Sequence, residues 1–401
     1  MNKHSDLIYI FRIVPVLFLM TLYVLTLSGC EADKKENHKR ITEQDSTNEN
    51  KKSTVIQKTK YTLSDFYSDD KGLEYKTDSV FNALTPKERV SQMIIACGGS
   101  SGKSNKEIVA LIRNKKLGGL LVMGGSKEQY KALVDDCKST AQNSGSLPLI
   151  FSADAEPSLI NLKISGLEKF PQTNSIKTSE QSEETALKIT NVLKQIGINQ
   201  NFAPVCDLSL NREIIGNRSY GSNTTKVERL AAAFSISTQK NEVIATAKHF
   251  PGHGNVNGDS HNELVYIDGE LKELEVFEHL IKSGVISVMV GHIAVRNNPE
   301  YSTDGLPSTL SEKIVTGLLK KKLGFKGLVV TDAMNMKAVS VFGSPSLKAI
   351  EAGCDMILMP SNEEKLISAV ISQISNNKLF EASVYASVRK IIRVKICLGL
   401  L

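Results

Sequence analysis

The sequence lacks the features that mark several large classes of protein. Its six cysteines have no paired spacing, so we expect no disulfide framework. Its net charge is +6, and the lysines and arginines are spread along the chain instead of forming one basic tract, so nucleic-acid binding is not expected. No nucleotide-binding or redox motif is visible. The 401 residues, 41% hydrophobic and 23% charged, are enough to bury a substantial globular core.

The N-terminus has the pattern of an export signal. Lys3 and Arg12 precede an apolar run at residues 13–27, which is short for a membrane-spanning helix. The run ends in Leu-Ser-Gly-Cys at Cys30, which resembles the bacterial lipobox. We therefore predict a signal peptide at residues 1–29 and a lipid on Cys30, which would anchor the chain to the membrane of a bacterial cell envelope.

The remainder of the chain divides into a tether and one domain. Residues 30–60 are rich in charged residues, Asn, Ser and Thr and have almost no large apolar side chains, so we predict a disordered tether. From Leu84 onward, eight short apolar runs alternate with segments of helical period. We predict a single catalytic domain at residues 61–401, and we expect a monomer.

The alternation predicts an α/β fold, a (β/α)₈ TIM-type barrel, with an open doubly wound sheet as the alternative. The predicted strands are Gln92–Cys97, Gly119–Met123, Pro148–Ala153, Ile198–Val205, Val243–Lys248, Val285–Val290, Gly327–Thr331 and Asp355–Met359. Polar residues at the ends of different strands favour the barrel, because the loops after barrel strands form the active face. They are Asp154, Asp207, Lys248, His249, His292 and Asp332.

The densest group of polar residues runs from Lys248 to His261, with three histidines and three glycines. His249 and His253 are four residues apart, as in a helical zinc motif, but the intervening Pro251 and Gly252 break any helix. We therefore predict no metal site, and a metal-dependent hydrolase stays an alternative only if the loop gathers three ligands.

Acid–base chemistry is the better interpretation of this group. Lys248 and His249 leave a strand and would aim hydrogen-bond donors into a pocket. His261 would be the mobile acid, and Asp259, two residues earlier, would orient its ring. Close wrapping of the loop would need residues without a Cβ, namely Gly252, Gly254 and Gly258.

A second candidate is Asp332, which ends the apolar run that begins at Gly327. An Asp after a strand often serves only as a helix N-cap. At the active face of a barrel, however, a carboxylate can attack an anomeric carbon and divide hydrolysis into two displacement steps.

Together these stretches resemble glycoside hydrolase family three, over about residues 84–400. The motif Lys-His-Phe-Pro-Gly-His-Gly followed by Asp-Ser-His resembles the family's bacterial β-N-acetylglucosaminidases. Residues 201–207, 323–327 and 352–358 extend the resemblance. It implies hydrolysis of terminal, non-reducing β-linked N-acetylglucosamine from glycans or peptidoglycan fragments, with retained configuration and no cofactor.

The resemblance also implies roles for individual residues. Asp332 would be the nucleophile, and the pair Asp259 and His261 would be the acid/base. The residues that would bind the sugar are Asp154, Arg218, Lys248 and His249.

One departure from the family pattern leaves other functions open. The usual small residues after the Asp-x-Glu turn are replaced by Pro157 and Ser158, which stiffen the loop beside the sugar. A sugar-binding lipoprotein without catalysis is therefore an alternative. A phosphorylase is another, because a histidine acid/base repels anionic phosphate less than a carboxylate would.

Overall fold

The computed structural model describes residues 60–210, 215–254, 256 and 264–401. All of them belong to one compact unit, Ile56–Leu401. The predicted signal peptide, Cys30 and almost all of the predicted tether lie outside the described residues. Among the described helices, none combines the length and apolar character that crossing a bilayer requires.

Eight parallel strands, β1 to β8 in chain order, form the centre of the molecule. They are β1 Ile94–Gly98, β2 Gly119–Val122, β3 Ile150–Ala153, β4 Gln200–Asn201, β5 Ile244–Phe250, β6 Ser287–Val290, β7 Leu328–Thr331 and β8 Ile357–Leu358. Their spatial order is β7-β6-β5-β4-β3-β2-β1-β8. A bridge between Val330 and Met356 joins the two ends of the sheet. The predicted (β/α)₈ barrel is therefore confirmed.

All strand residues of the barrel are buried, as expected for parallel strands covered on both faces. The interior also contains a polar layer around Gln200. Its side chain accepts a hydrogen bond from Ser152 Oγ at 3.0 Å and donates to Thr246 Oγ1 at 3.3 Å and to Ser287 Oγ at 3.4 Å. Four neighbouring strands supply these residues, so the layer links β3 to β6 inside the barrel.

Helices surround the barrel, and several begin at capping boxes, such as Thr85 with Glu88 and Ser126 with Gln129. Lys71–Ala83 packs against the C-terminal helix, Lys378–Cys397. The longer described helices are Lys71–Ala83, Asn105–Arg113, Lys127–Ser144, Ser179–Ile196, Thr224–Lys240, Leu274–Lys282, Lys313–Lys322, Pro345–Ala352, Glu363–Asn376 and Lys378–Cys397; shorter ones are Pro86–Ser91, Ile160–Lys163 and Lys337–Ser340.

Two small parallel sheets order the loops at the carboxyl ends of the strands. Gly125–Ser126, after β2, pairs with Ile164–Ser165, after β3. Val265–Asp268, after β5, pairs with Ile293–Arg296, after β6. Neighbouring loops are thereby tied to one another above the barrel, where the polar residues are concentrated.

Candidate active site

A pocket of about 540 Å³ opens at the carboxyl end of the barrel. All five described residues that were predicted for catalysis or sugar binding line it, and so do apolar side chains from several loops. The predicted five are Asp154, Arg218, Lys248, His249 and Asp332; the others include Leu121, Met123, Leu159, Lys163, Phe202, His253, Met289, Met336 and Met359.

Lys248 is a buried cation near the end of β5. Its Nζ lies 2.6 Å from Asp154 Oδ1 and 2.6 Å from Glu156 Oε1. Burial by itself would lower the pKa of Lys248, but these two carboxylates raise it above the ordinary value. The ammonium is therefore charged, and it holds Asp154 at the pocket wall.

Arg218 is fixed by a fork of two hydrogen bonds to Glu156. Its Nε donates to Glu156 Oε2 at 2.9 Å, and its Nη2 donates to Oε1 at 2.8 Å. Burial would raise the pKa of Glu156, but Lys248 and Arg218 hold it well below its usual range. Two cations and two carboxylates thus form a compensated group that orders three pocket residues, Asp154, Arg218 and Lys248.

His249 is oriented by Asp207, a buried carboxylate that follows β4. The ring Nδ1 lies 2.7 Å from Asp207 Oδ2, and the backbone N–H of His249 also donates to Asp207. The backbone N–H of His253 donates to Asp207 Oδ1 at 2.8 Å. With Nδ1 held in this way, Nε2 is the ring nitrogen of His249 available to a ligand in the pocket.

Among the described residues, one group could offer three metal ligands within 4.8 Å, namely Asp207, His249 and His253. Both oxygens of Asp207 already accept N–H hydrogen bonds from the two histidine residues, so the geometry is that of a hydrogen-bonded support. Burial, followed by the neighbouring His249, lowers the pKa of His253 to about 4, so its ring is neutral near pH 7.

Asp332 follows β7 and lies in the pocket wall. Its Oδ1 accepts a hydrogen bond from the backbone N–H of Ala333 at 2.8 Å. Burial would raise its pKa, but His292, His249 and the Ala333 N–H lower the pKa to about 2. A carboxylate that is ionised throughout the neutral range and faces a pocket is suited to nucleophilic attack.

The predicted acid/base pair, Asp259 and His261, lies outside the described residues. The start of its loop is described, and two of its glycines pack closely against other segments of the chain. A Cβ on Gly252 would lie 2.4 Å from Glu273 Oε2, and one on Gly254 would lie 1.6 Å from Leu208 O. Neither position therefore has room for a side chain.

Two buried carboxylates near the site were not predicted. Glu156 stands two residues after Asp154, a spacing that could have singled it out. Glu273 is 19 residues from its partner Gly254, so only the fold reveals their contact. Burial, followed by Asp207, raises the pKa of Glu273 to about 7.

The comparisons with known proteins show the family of the chain. The model of the glycosyl hydrolase family 3 N terminal domain matches residues 85–394. A beta-hexosaminidase from Psychromonas ingrahamii is 32% identical over 281 residues, which are 66% of this chain and 79% of that protein. One from Vibrio cholerae is 28% identical over 270 residues, 65% of this chain and 80% of that protein.

The solved structures agree as well. A family 3 beta-N-acetylglucosaminidase from Paenibacillus sp. has a TM-score of 0.71 and 31% identity. The match covers 79% of this chain and 63% of that one, so this chain spans less than two thirds of it. From the barrel, the ordered pocket residues and these matches, we conclude that the chain belongs to glycosyl hydrolase family 3.

Proposed function

We propose that this protein hydrolyses terminal, non-reducing β-linked N-acetylglucosamine by a retaining, two-step mechanism. The observation that carries the proposal is the ionised carboxylate of Asp332, which faces the same pocket as the ordered group Asp154, Arg218 and Lys248. The relatives named beta-hexosaminidases support the choice of sugar.

In the first step, a carboxylate oxygen of Asp332 forms a bond to the anomeric carbon while the glycosidic C–O bond breaks. The leaving oxygen takes a proton from His261, whose role is a prediction from sequence. In the second step, His261 removes a proton from water, which attacks the anomeric carbon and releases Asp332. Two inversions retain the configuration of the sugar.

The pocket divides the recognition of the sugar between polar and apolar walls. Asp154 offers carboxylate oxygens, and Arg218 and Lys248 offer N–H groups, all held in place by buried partners. Preordered groups of this kind bind sugar hydroxyls with little loss of side-chain entropy. The methionine and leucine side chains around them supply apolar surface for the sugar face and the acetamido methyl group.

The test measures nitrophenol release by the full chain in detergent from the β-N-acetylglucosaminide and from the matched β-glucoside. We expect cleavage of the acetamido sugar, unchanged by added phosphate, with N-acetylglucosamine as the product. Binding without turnover would contradict the proposal and favour the sugar-binding alternative. Sugar 1-phosphate as the main product would contradict hydrolysis.

We also propose that the protein is exported, tethered by a lipid on Cys30, and acts on peptidoglycan fragments or other glycans of the envelope. The support is the N-terminal sequence alone, with its apolar run and the Leu-Ser-Gly-Cys motif. In the native bacterium, the Cys30→Ser variant should leave the membrane fraction, whereas Cys97→Ser should remain in it. Unchanged membrane association of the Cys30→Ser variant would refute the lipid anchor.

A further inference from the structure

Lys163 is a charged residue of the pocket wall that the proposed mechanism does not use. It ends the short helix Ile160–Lys163 in the loop after β3, and its side chain is half-buried where it lines the pocket. In the described part of the chain, Lys163 forms no ion pair; the polar contact of its Nζ is Met123 Sδ, at 4.0 Å. A thioether sulfur is a weak acceptor and cannot balance the charge of an ammonium group.

The other two cations of the wall differ from Lys163 in this respect. Arg218 forms an ion pair with Glu156, and Lys248 forms ion pairs with both Asp154 and Glu156. Their charges are therefore balanced before a substrate binds. Lys163 adds a positive charge to the pocket that no described carboxylate pairs with.

The backbone around Lys163 is fixed, which limits where its ammonium group can lie. Tyr130 Oη donates a hydrogen bond to the backbone oxygen of Lys163 at 3.2 Å, and the next two residues pair with Gly125–Ser126 in a small sheet. Burial raises the pKa of the Cys97 thiol to about 11, and the charge of Lys163 opposes this rise. Since Cys97 lies in β1 and Met123 follows β2, the ammonium group lies above the ends of these two strands.

This part of the pocket is separate from the groups proposed to act on the terminal sugar. Those groups lie in or after β3, β4 and β5, and Asp332 follows β7. In the barrel, β1 lies four strands away from β5 and is therefore on the opposite side. The pocket residues at β8 and β2 are apolar, namely Leu121, Met123, Leu358 and Met359. The space above β8, β1 and β2 is thus left for the rest of the substrate, and Lys163 is its charged group.

We propose that Lys163 determines specificity for the leaving group, by forming a subsite for a carboxylate on the part of the substrate beyond the scissile bond. This inference rests on the proposed function. A carboxylate placed among apolar side chains loses hydration, and an unpaired ammonium group beside it compensates that loss. An uncharged leaving group of the same shape gains nothing from the charge of Lys163.

The experiment uses the full chain in detergent and two nitrophenyl β-N-acetylglucosaminides that differ in one substituent on the ring. One carries a carboxylate beside the nitro group, and the other carries the methyl ester of that carboxylate. The measured quantity is the ratio of kcat/KM for the acid to kcat/KM for the ester, at low ionic strength. The intrinsic reactivities of the two leaving groups cancel when this ratio is compared between variants.

For Lys163→Met we expect the ratio to fall about 10-fold, with a change of less than about 2-fold on the ester. Methionine has an unbranched side chain of similar length, so the packing against Met123 is kept. Lys163→Arg keeps the charge and should keep the ratio within about 3-fold of the wild-type value. In the wild-type protein, 1 M salt should also lower the ratio, because it shortens the Debye length to about 3 Å.

Lys169→Met is the matched control, because Lys169 is an exposed lysine of the same loop that does not line the pocket. It should leave the ratio unchanged. If Lys163→Met does not fold, Lys163→Gln, which keeps a polar end without the charge, should show the same loss. An unchanged ratio in a folded Lys163→Met or Lys163→Gln variant, or an equal fall in Lys169→Met, would overturn the role of Lys163.

The result for the wild-type protein keeps this test separate from the proposed function. If the wild-type protein cleaves neither glycoside, the proposed function fails, and the inference about Lys163 fails with it. If the wild-type protein cleaves both and the Lys163→Met variant keeps the same ratio, only the inference about Lys163 fails.

Discussion

Two buried ion clusters lie at opposite ends of the barrel, and similar charges serve different purposes in them. The mouth cluster lies at the carboxyl ends of the strands and consists of Asp154, Glu156, Arg218 and Lys248. The base cluster lies at the other end, just before β8, and consists of Asp355, Lys320, Ser387 and Lys390.

In the base cluster, every hydrogen bond serves the fold. Asp355 is 0% exposed and accepts from Lys320 at 3.1 Å, Lys390 at 2.7 Å and Ser387 at 2.6 Å. It also accepts the backbone N–H of Val329 in β7. One carboxylate thus joins two helices to neighbouring strands, and it has no contact with the pocket.

The mouth cluster has a second carboxylate, and this difference makes it useful for binding. The side chain of Asp154 is 22% exposed in the pocket while that of Glu156 is 0% exposed. Glu156 compensates the buried cations, which leaves Asp154 and the outward N–H groups to face a ligand. A charge at the mouth is therefore available to chemistry, whereas a charge at the base stabilises the barrel.

The largest expected effect is on the activity of a variant in the pocket, with little effect on its stability. Asp332→Asn should lower kcat by at least about 1,000-fold, because the amide cannot attack the anomeric carbon. The thermal midpoint should stay close to the wild-type value, because the amide oxygen of Asn can still accept the Ala333 N–H that Asp332 Oδ1 accepts. Near wild-type turnover by a folded variant would remove Asp332 from the mechanism.

The second prediction tests whether the base cluster serves stability and not activity. Asp355→Asn should lower the free energy of unfolding by about 3 kcal/mol, because Lys320 and Lys390, whose side chains are each 23% exposed, lose their buried counter-charge. For protein that remains folded, kcat/KM should be within about 2-fold of the wild-type value. Denaturant titration and kinetics at low temperature measure both quantities, and a selective loss of activity would show that the base cluster also serves the site.

The matched change at the mouth is Glu156→Gln. We expect kcat/KM to fall about 30-fold, which corresponds to about 2 kcal/mol of transition-state stabilisation. The reason is that Arg218 loses its charged fork and Lys248 turns further towards Asp154. If the variant is less stable but keeps the wild-type kcat/KM, the mouth cluster serves only the fold, as the base cluster does, and the proposed difference between the two clusters is wrong.

The smallest expected effect is on stability, at Lys395, a buried lysine whose partner is an amide and not a carboxylate. Lys395 is fully buried, donates to Gln92 Oε1, and burial lowers its pKa to about 7. Between that value and the unfolded pKa near 10.5, the unfolded chain binds a proton that the folded chain does not, so stability falls as pH falls. The Lys395→Met substitution should therefore raise the free energy of unfolding by about 1 kcal/mol at pH 7.

The control for this prediction is the pH dependence of the stability difference between the variant and the wild-type protein. The difference in free energy of unfolding between Lys395→Met and the wild-type protein should shrink as the pH rises from 7 towards 10. A difference that does not change with pH would mean that Lys395 is not neutralised by burial.

The sequence predicted the barrel because most of its strands are short apolar runs that alternate with segments of helical period. The strand ends were less accurate. The fourth strand was predicted at Ile198–Val205, but β4 covers only Gln200–Asn201; beyond Pro204, which has no N–H to donate, an isolated bridge pairs Val205 with Lys248. The polar layer around Gln200 was not predicted either, because its partners come from three other strands.

In the site, too, residues within one sequence motif could be predicted, whereas residues that the fold brings together could not. Lys248 and His249 were predicted because they stand together in one motif, and the structure places both in the pocket. Their supports, Glu156 and Asp207, are brought to them by the barrel, and Glu273 reaches its partner only after an intervening strand. No periodicity in the sequence encodes such contacts.

The most direct test of the central claim is to identify the residue that becomes covalently attached to the sugar. The protein would be incubated with 5-fluoro-N-acetylglucosaminyl fluoride, a slow substrate for retaining enzymes, and its peptides analysed by mass spectrometry. We predict one fluorosugar on the peptide that contains Asp332, and none in the Asp332→Asn variant. An adduct on another residue, or turnover of the fluoride with inverted configuration, would contradict the account.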